Sequence, residues 1–350
     1  MKYYLKDSFL SNEYEKNAGN KARNDVEAIL ISEGYKGLEL KVENWYKMNF
    51  FKAQQHKYRA LKSVFDQLGS GDELLIQFPI IHHTFFISQL IKQAQNRGVK
   101  FYLVIHDVET LRHVGNSAVK LRHKVRNYFQ EKAALTSVDG IIVHNDIMKN
   151  ALTIQGVPSD KMVSLEIFDY LIPNFEEKNV PQKEEAIIIA GNLIPTKSGY
   201  LYNLPEQPAY NLYGMGYDES RALKNTTYFG SFMPDDLPNA LQGSFGLVWD
   251  GDSSETCKGS FGNYLRINNS HKASLYLASG FPLVVWKESA LAHFVLDKQC
   301  GIAIDSLHDL QKALDDLTDQ DYMELSANAR QVGVAIRSGD YLKSAISKLK

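Results

Sequence analysis

Short apolar runs alternate with stretches of helical spacing along most of this chain. KYYLK (2–6) reads as a first strand, and Asn24 to Ser32 carries helical spacing that stops at Gly34. LELKV (38–42) alternates like a strand, and a helical pattern over 54–68 ends at Gly69. ELLIQF (73–78) is the next strand; a helix over 84–96 closes at Gly98, and KFYLVI (100–105) runs into His106 and Asp107. A basic helical stretch, the strand GIIVH (140–144) and a helix over 145–155 follow, the last stopped by Gly156-Val157-Pro158. Strand and helix in alternation predict parallel sheets with crossover helices.

The stretch from Asp169 to Glu185 holds Pro173, Pro181 and five carboxylates and reads as a linker. A second series then opens: EAIIIA (185–190), YNLY (210–213), Thr227 to Phe229, FGLVW (245–249) and PLVVW (282–286), with helices over 234–242, 269–279 and 290–296. The expectation is an α/β chain of two Rossmann-like halves with parallel sheets facing across a cleft. The boundaries fall at 1–170, a linker over 171–185, 186–335, and a C-terminal helix over 336–350. Ligands of such sheets bind beyond the carboxyl ends of the strands.

Composition narrows the class. The 350 residues are 44% hydrophobic and 23% charged, which excludes disorder as a class. Thirty-nine basic against 41 acidic residues leave a net charge of -2, which argues against a nucleic-acid partner. Cys257 and Cys300 cannot build a disulfide framework or a cysteine-rich zinc site. The first residues lack the apolar core and cleavage site of a signal peptide, and no run reaches the ~20 apolar residues of a membrane span. A cytoplasmic location is expected.

Several motifs bear on chemistry. Asn268, Asn269 and Ser270 are good N-caps, with His271 and Lys272 in the first turn that follows. A helix N-terminus favours anions, and an anion there would explain a lysine that opposes the helix dipole. GNLIPTKS (191–198) approaches a phosphate-binding loop, but Pro195-Thr196 stands where the second glycine is needed, so a nucleoside triphosphatase is not expected; Lys197 remains a candidate phosphate contact. Asp250-Gly251-Asp252 matches the short D-x-D pattern that can hold a divalent ion on a diphosphate, but reads as a solvated turn in a Gly/Ser-rich loop. His106 and Asp107 close a strand, where a general base can sit, and His82-His83 follow Pro79. Between Thr110 and Gln130 there are five Lys or Arg and no acid, so residues 112–126 offer a basic face for a peripheral membrane contact.

FYLVIHDVETLR (101–112), AGNL (190–193), GSFGLVWDGD (243–252) and above all NYLRINNSHKASLYLASGFPLVVWKESALAHFV (263–295) resemble a bacterial family of GT-B sugar transferases. It includes beta-1,6-galactofuranosyltransferases and the glucosyltransferases that extend glycans on serine-rich adhesins. The resemblance implies a UDP-sugar donor held by the C-terminal domain, a glycan or lipid-linked acceptor on the N-terminal side, and no essential metal or other cofactor. It implies donor contacts from Lys272, Lys197, Asn192, Asn269, Ser270, His271 and Ser289, with the nucleotide stacking at Tyr213 and Gly214. It places Asp7, Asn17 and Asn20 on the acceptor side, with His106 and Asp107 as catalytic candidates. Relatives oligomerise, so a homo-oligomer is expected. The rival from another class is a catalytically silent subunit that binds a nucleotide sugar for a partner transferase.

Overall fold

A computed structural model of the chain describes residues 1–7, 18–42, 45–80, 84–112 and 121–349. The chain divides into two units. The first comprises residues 1–14, 23–165 and 342–350; the second comprises 15–22 and 166–341.

The first unit is built on β1 (Lys2–Lys6), β2 (Lys36–Glu39), β3 (Glu73–Phe78), β4 (Lys100–Ile105), β5 (Gly140–Val143) and β6 (Met162–Ser164). Among the described residues they form one parallel sheet in the order β2-β1-β3-β4-β5-β6. β3 and β4 pair in register from Glu73 opposite Lys100 to Phe78 opposite Ile105. Every residue of β5 and all but the first of β3 and β4 are buried, as a parallel sheet covered on both faces requires. Phe50–Phe65, Ile87–Gln95 and Leu121–Ser137 are among its crossover helices.

The second unit repeats the plan with β7 (Ile187–Asn192), β8 (Tyr210–Met215), β9 (Thr226–Tyr228), β10 (Gly246–Val248), β11 (Leu283–Trp286) and β12 (Gly301–Ile304). Their order is β12-β11-β10-β7-β8-β9. Renumbered within the unit this is 3-2-1-4-5-6, the dinucleotide-binding order, whose direction reverses between β7 and β10. Helix His271–Ala278 packs on that point: Gly246 leaves room for the Tyr276 ring, and Tyr276 Oη accepts the Ala190 amide at 2.6 Å.

β1, β3 and β4 coincide with the predicted strands. β2 lies two to three residues earlier than LELKV, because Lys36–Glu39 is the segment that pairs with Tyr3–Lys6. β6, β12 and the long helix Asp319–Ser338 are additional to the predicted elements. That helix carries a Thr318–Asp321 capping box and ends at the left-handed Gly339. The expected boundary at 335/336 therefore falls inside it, and the final helix, Asp340–Lys348, belongs to the first unit from Leu342 onward. The expected linker is held on the second unit. Lys178 Nζ donates to the carbonyls of Asn239 at 2.7 Å and Leu241 at 2.9 Å, and Arg337 stacks on Phe175. Among the described residues, no helix is long and apolar enough to cross a membrane.

Candidate active site

The reversal between β7 and β10 is where a ligand is expected, and Lys272 lies there. The cap at Ser270 starts helix His271–Ala278 beside the ends of both strands. Lys272 then runs past Gly191, whose missing side chain leaves its Cε 3.2 Å from where a Cβ would be. Lys272 Nζ donates to the Trp249 carbonyl at 3.0 Å and to Asp250 Oδ1 at 2.9 Å. Both side chains of this ion pair are about nine-tenths buried. The first carboxylate of the D-x-D pattern is thus engaged by a protein ammonium; Asp252 is exposed.

Neighbouring loops are shaped by backbone contacts. Gly191 and Gly214 both have positive φ, +135° and +145°, and a Cβ at Gly214 would collide with the Gly191 carbonyl oxygen. Asn192 is exposed, and its Oδ1 accepts the Ile194 amide at 3.1 Å. Residues Pro195–Ser198 form a helical turn in place of a phosphate-binding loop, as the missing glycine foretells. Lys197 Nζ lies 5.6 Å from the centre of the Phe261 ring.

Two donor-side expectations, those for Tyr213 and Asn269, are corrected. Tyr213 has no exposed ring face: it is fully buried, stacked on Phe229 at 4.8 Å, and its hydroxyl accepts the Gln242 amide. A nucleotide therefore cannot stack on it. Asn269 is a buried brace whose Nδ2 donates to the Glu166 carbonyl at 2.6 Å. Ser270 caps its helix with no side-chain hydrogen bond. His271 is enclosed between Phe168 and Tyr170, at 5.8 and 5.2 Å between ring centres. Burial first, and then the Lys21 charge, depress its pKa to about 4, against a hydrogen bond with the Asp169 backbone. It is a neutral histidine, and its Nε2 has no hydrogen-bond partner.

Among the described residues near the same strand ends, three polar atoms are buried with no hydrogen-bond partner: Ser289 Oγ, at the start of helix Ala290–Asp297, Asn268 Oδ1 and His271 Nε2. A buried acceptor or donor left open in this way is a place for a ligand atom. Asp250, which the sequence suggests lies in a solvated turn, is instead buried against Lys272, and Asn268, expected only as a cap, presents an unpartnered oxygen. The available signal was position, since Asp250 directly follows the Phe245–Trp249 strand. A cavity of about 370 Å³ lined by Glu184, Glu206 and Asp315 lies at the opposite, amino ends of β7 and β8. Its acidic lining does not suit a diphosphate.

In the first unit, the order β2-β1-β3 reverses direction between β1 and β3, and Asp7 sits there, buried, within the field of Arg23 and Lys57. Arg23 donates to the Pro79 carbonyl, and Lys57 lies 3.9 Å over the Trp45 ring. Asp107 is not a free carboxylate. One oxygen pairs with Arg112 at 2.7 Å and the other accepts the Val108 amide at 3.0 Å. His106 Nε2 is 2.7 Å from Gln77 Oε1. Asn20 is partly exposed and groups with the second unit. Asn17, His82 and His83 lie outside the described residues, as does most of 112–126. Among the described residues, no cluster of three or more His, Cys, Asp or Glu could hold a metal ion.

The two doubly wound sheets are those of the GT-B fold, and the sequence matches make the chain a glycosyltransferase. Over 98% of this chain and 96% of its own, sucrose-phosphate synthase from Thermosynechococcus elongatus superposes with a TM-score of 0.63 at 13% identity. The Anabaena protein HepE in complex with UDP-glucose does so with a TM-score of 0.56 at 11% identity, over 99% of both chains. Residues 3–167 match the N-terminal domain of the glucosyltransferase 3-like family, and residues 187–349 match its C-terminal domain. The chain is 33% identical over 288 residues to the beta-1,6-galactofuranosyltransferase WbbI of Escherichia coli (strain K12), covering 81% of this chain and 80% of that one. It is 23% identical to glucosyltransferase 3 of Streptococcus gordonii over 93% of this chain and 92% of that one. The chain belongs to the glucosyltransferase 3-like family.

Proposed function

We propose that this enzyme moves galactofuranose or glucose from a UDP-sugar to a glycan or lipid-linked acceptor, in the synthesis of a cell-surface polysaccharide or glycoprotein in the cytoplasm. The acceptor hydroxyl attacks the anomeric carbon, the bond from that carbon to the diphosphate oxygen breaks, and UDP leaves. The hydroxyl proton passes to a side-chain base, His106 and Asp107 being the candidates. The observation that carries the reading is Lys272 at the reversal between β7 and β10, where a diphosphate fits the dinucleotide-binding strand order.

In this reading Lys272 and the first amides of helix His271–Ala278 meet the charge that grows on the leaving diphosphate. Asp250 holds the ammonium in place before the donor arrives. The Lys272–Asp250 ion pair supports a reading without a resident cation, because it engages the first carboxylate that would bind one. Names of the relatives support both sugars: one is a galactofuranosyltransferase and the other a glucosyltransferase. Thermal unfolding with UDP, UDP-glucose, UDP-galactofuranose and ATP tests the donor, and transfer assays with and without EDTA test the metal. Stabilisation by UDP compounds and not by ATP is expected, with activity retained in EDTA. No stabilisation by any uridine nucleotide, or loss of transfer in EDTA, would refute the reading.

A further inference from the structure

The first unit exposes aromatic rings that its own core leaves unused. Phe50, Phe51 and Phe86 are 53%, 83% and 55% exposed. Phe50 lies 5.7 Å from Phe51 and 5.4 Å from Phe85 between ring centres, and Phe86 lies 6.1 Å from Tyr58, on the helix that Phe50 and Phe51 begin. Asn49 caps helix Phe50–Phe65 and so fixes where the two leading phenylalanines stand. Phe86 caps the neighbouring helix Ile87–Gln95. These helices follow β2 and β3, so both starts lie at the carboxyl edge of the sheet, the edge where acceptors are expected. Contiguous exposed apolar surface of this kind marks a contact with another body.

Charge identifies that body. From Trp45 to Phe65 the chain has five Lys or Arg and no acidic residue. Lys57 is buried over Trp45, and Lys62 pairs with Asp66. Lys47, Lys52 and Arg59 are exposed. Arg59 lies about two turns further along the same helix, about 80° around its axis from Phe51. Rings that insert shallowly beside cations that stay wet match the interface of an anionic bilayer. We infer that Phe50, Phe51 and Phe86, with Lys52 and Arg59, form a surface that docks the first unit on an anionic lipid membrane. The surface follows from the fold of this unit alone, so membrane binding and donor binding fail independently.

Vesicle co-sedimentation of the full chain tests this. Vesicles of phosphatidylcholine with added phosphatidylglycerol are expected to pellet the protein, and phosphatidylcholine alone is not. Phe51→Ser with Phe86→Ser should lower binding by about tenfold or more, and Lys52→Gln or Arg59→Gln by about fivefold each, the worth of one interfacial charge. Each variant should keep the circular dichroism spectrum and melting temperature of the parent. No binding to anionic vesicles, or binding unchanged in these folded variants, would overturn the inference. So would light scattering that shows a self-associated species abolished by the phenylalanine changes while vesicles go unbound.

Discussion

Lys272 Nζ sits 2.9 Å from Asp250 Oδ1, and the two side chains shield each other from water. Two roles converge on this pair. Removing one partner leaves a buried charge uncompensated, which typically costs about 3–5 kcal/mol. Removing the lysine also takes away the charge that stabilises the departing diphosphate, a loss of about 10²–10³ in rate for one such contact. Lys272→Ala is therefore expected to lower both stability and kcat. The double variant with Asp250→Ala should regain much of the stability and none of the rate. Urea unfolding beside single-turnover kinetics separates the two; equal recovery of both would show that the pair is only structural.

Ser289 yields the opposite pattern. Its Oγ is buried with no partner, so the folded protein without donor gains nothing from it. Ser289→Ala should leave stability unchanged or raise it by about 1 kcal/mol, since an unsatisfied buried hydroxyl is a cost. If the hydroxyl meets the donor, the same change should raise KM for the UDP-sugar by about tenfold, the worth of a hydrogen bond to a charged group. An unaltered KM would remove Ser289 from the donor site.

Much of the frame is legible in the chain itself, because β1, β3 and β4 are short apolar runs bounded by polar turns. The site is less so. Tyr213 reads as a stacking platform, yet a strand covered on both faces buries every ring, and no alternation survives to tell inside from outside. The Lys272–Asp250 pair joins residues 22 positions apart through two different elements, which periodicity cannot register. Lys178 turns an apparent linker into packed structure by donating to the carbonyl oxygens of Asn239 and Leu241, and backbone partners leave no trace in a pattern of side chains.

Two histidines, one in each unit, make stability depend on pH. Burial is the main cause that holds His144 and His271 to a pKa of about 4. In the unfolded chain each returns to about 6.5. Between those values the unfolded state binds more protons, so stability is full above pH 6.5 and falls as the pH drops toward 4. At pH 5 each histidine should cost about 2 kcal/mol. Urea unfolding at pH 7 and pH 5 measures the sum. His271→Phe, which suits the pocket between Phe168 and Tyr170, should remove about half of the difference. An unchanged difference in that variant would mean that His271 is charged or exposed in the folded protein.

The cysteines provide a test of how closed the second unit is. Cys257 and Cys300 are both buried, and desolvation raises both thiols, Cys300 to about 12. Only the thiolate attacks a disulfide reagent, so at neutral pH neither should react while the protein is folded. Ellman titration of the native chain is expected to find no fast thiol, and two after denaturation. Cys257 lies in the loop after Asp250, so a UDP compound bound at Lys272 should slow its remaining reaction further. Rapid labelling of Cys257 in the native chain would show that the wall behind the Lys272–Asp250 pair opens to solvent, and the low-dielectric setting on which that lysine's effect depends would be lost.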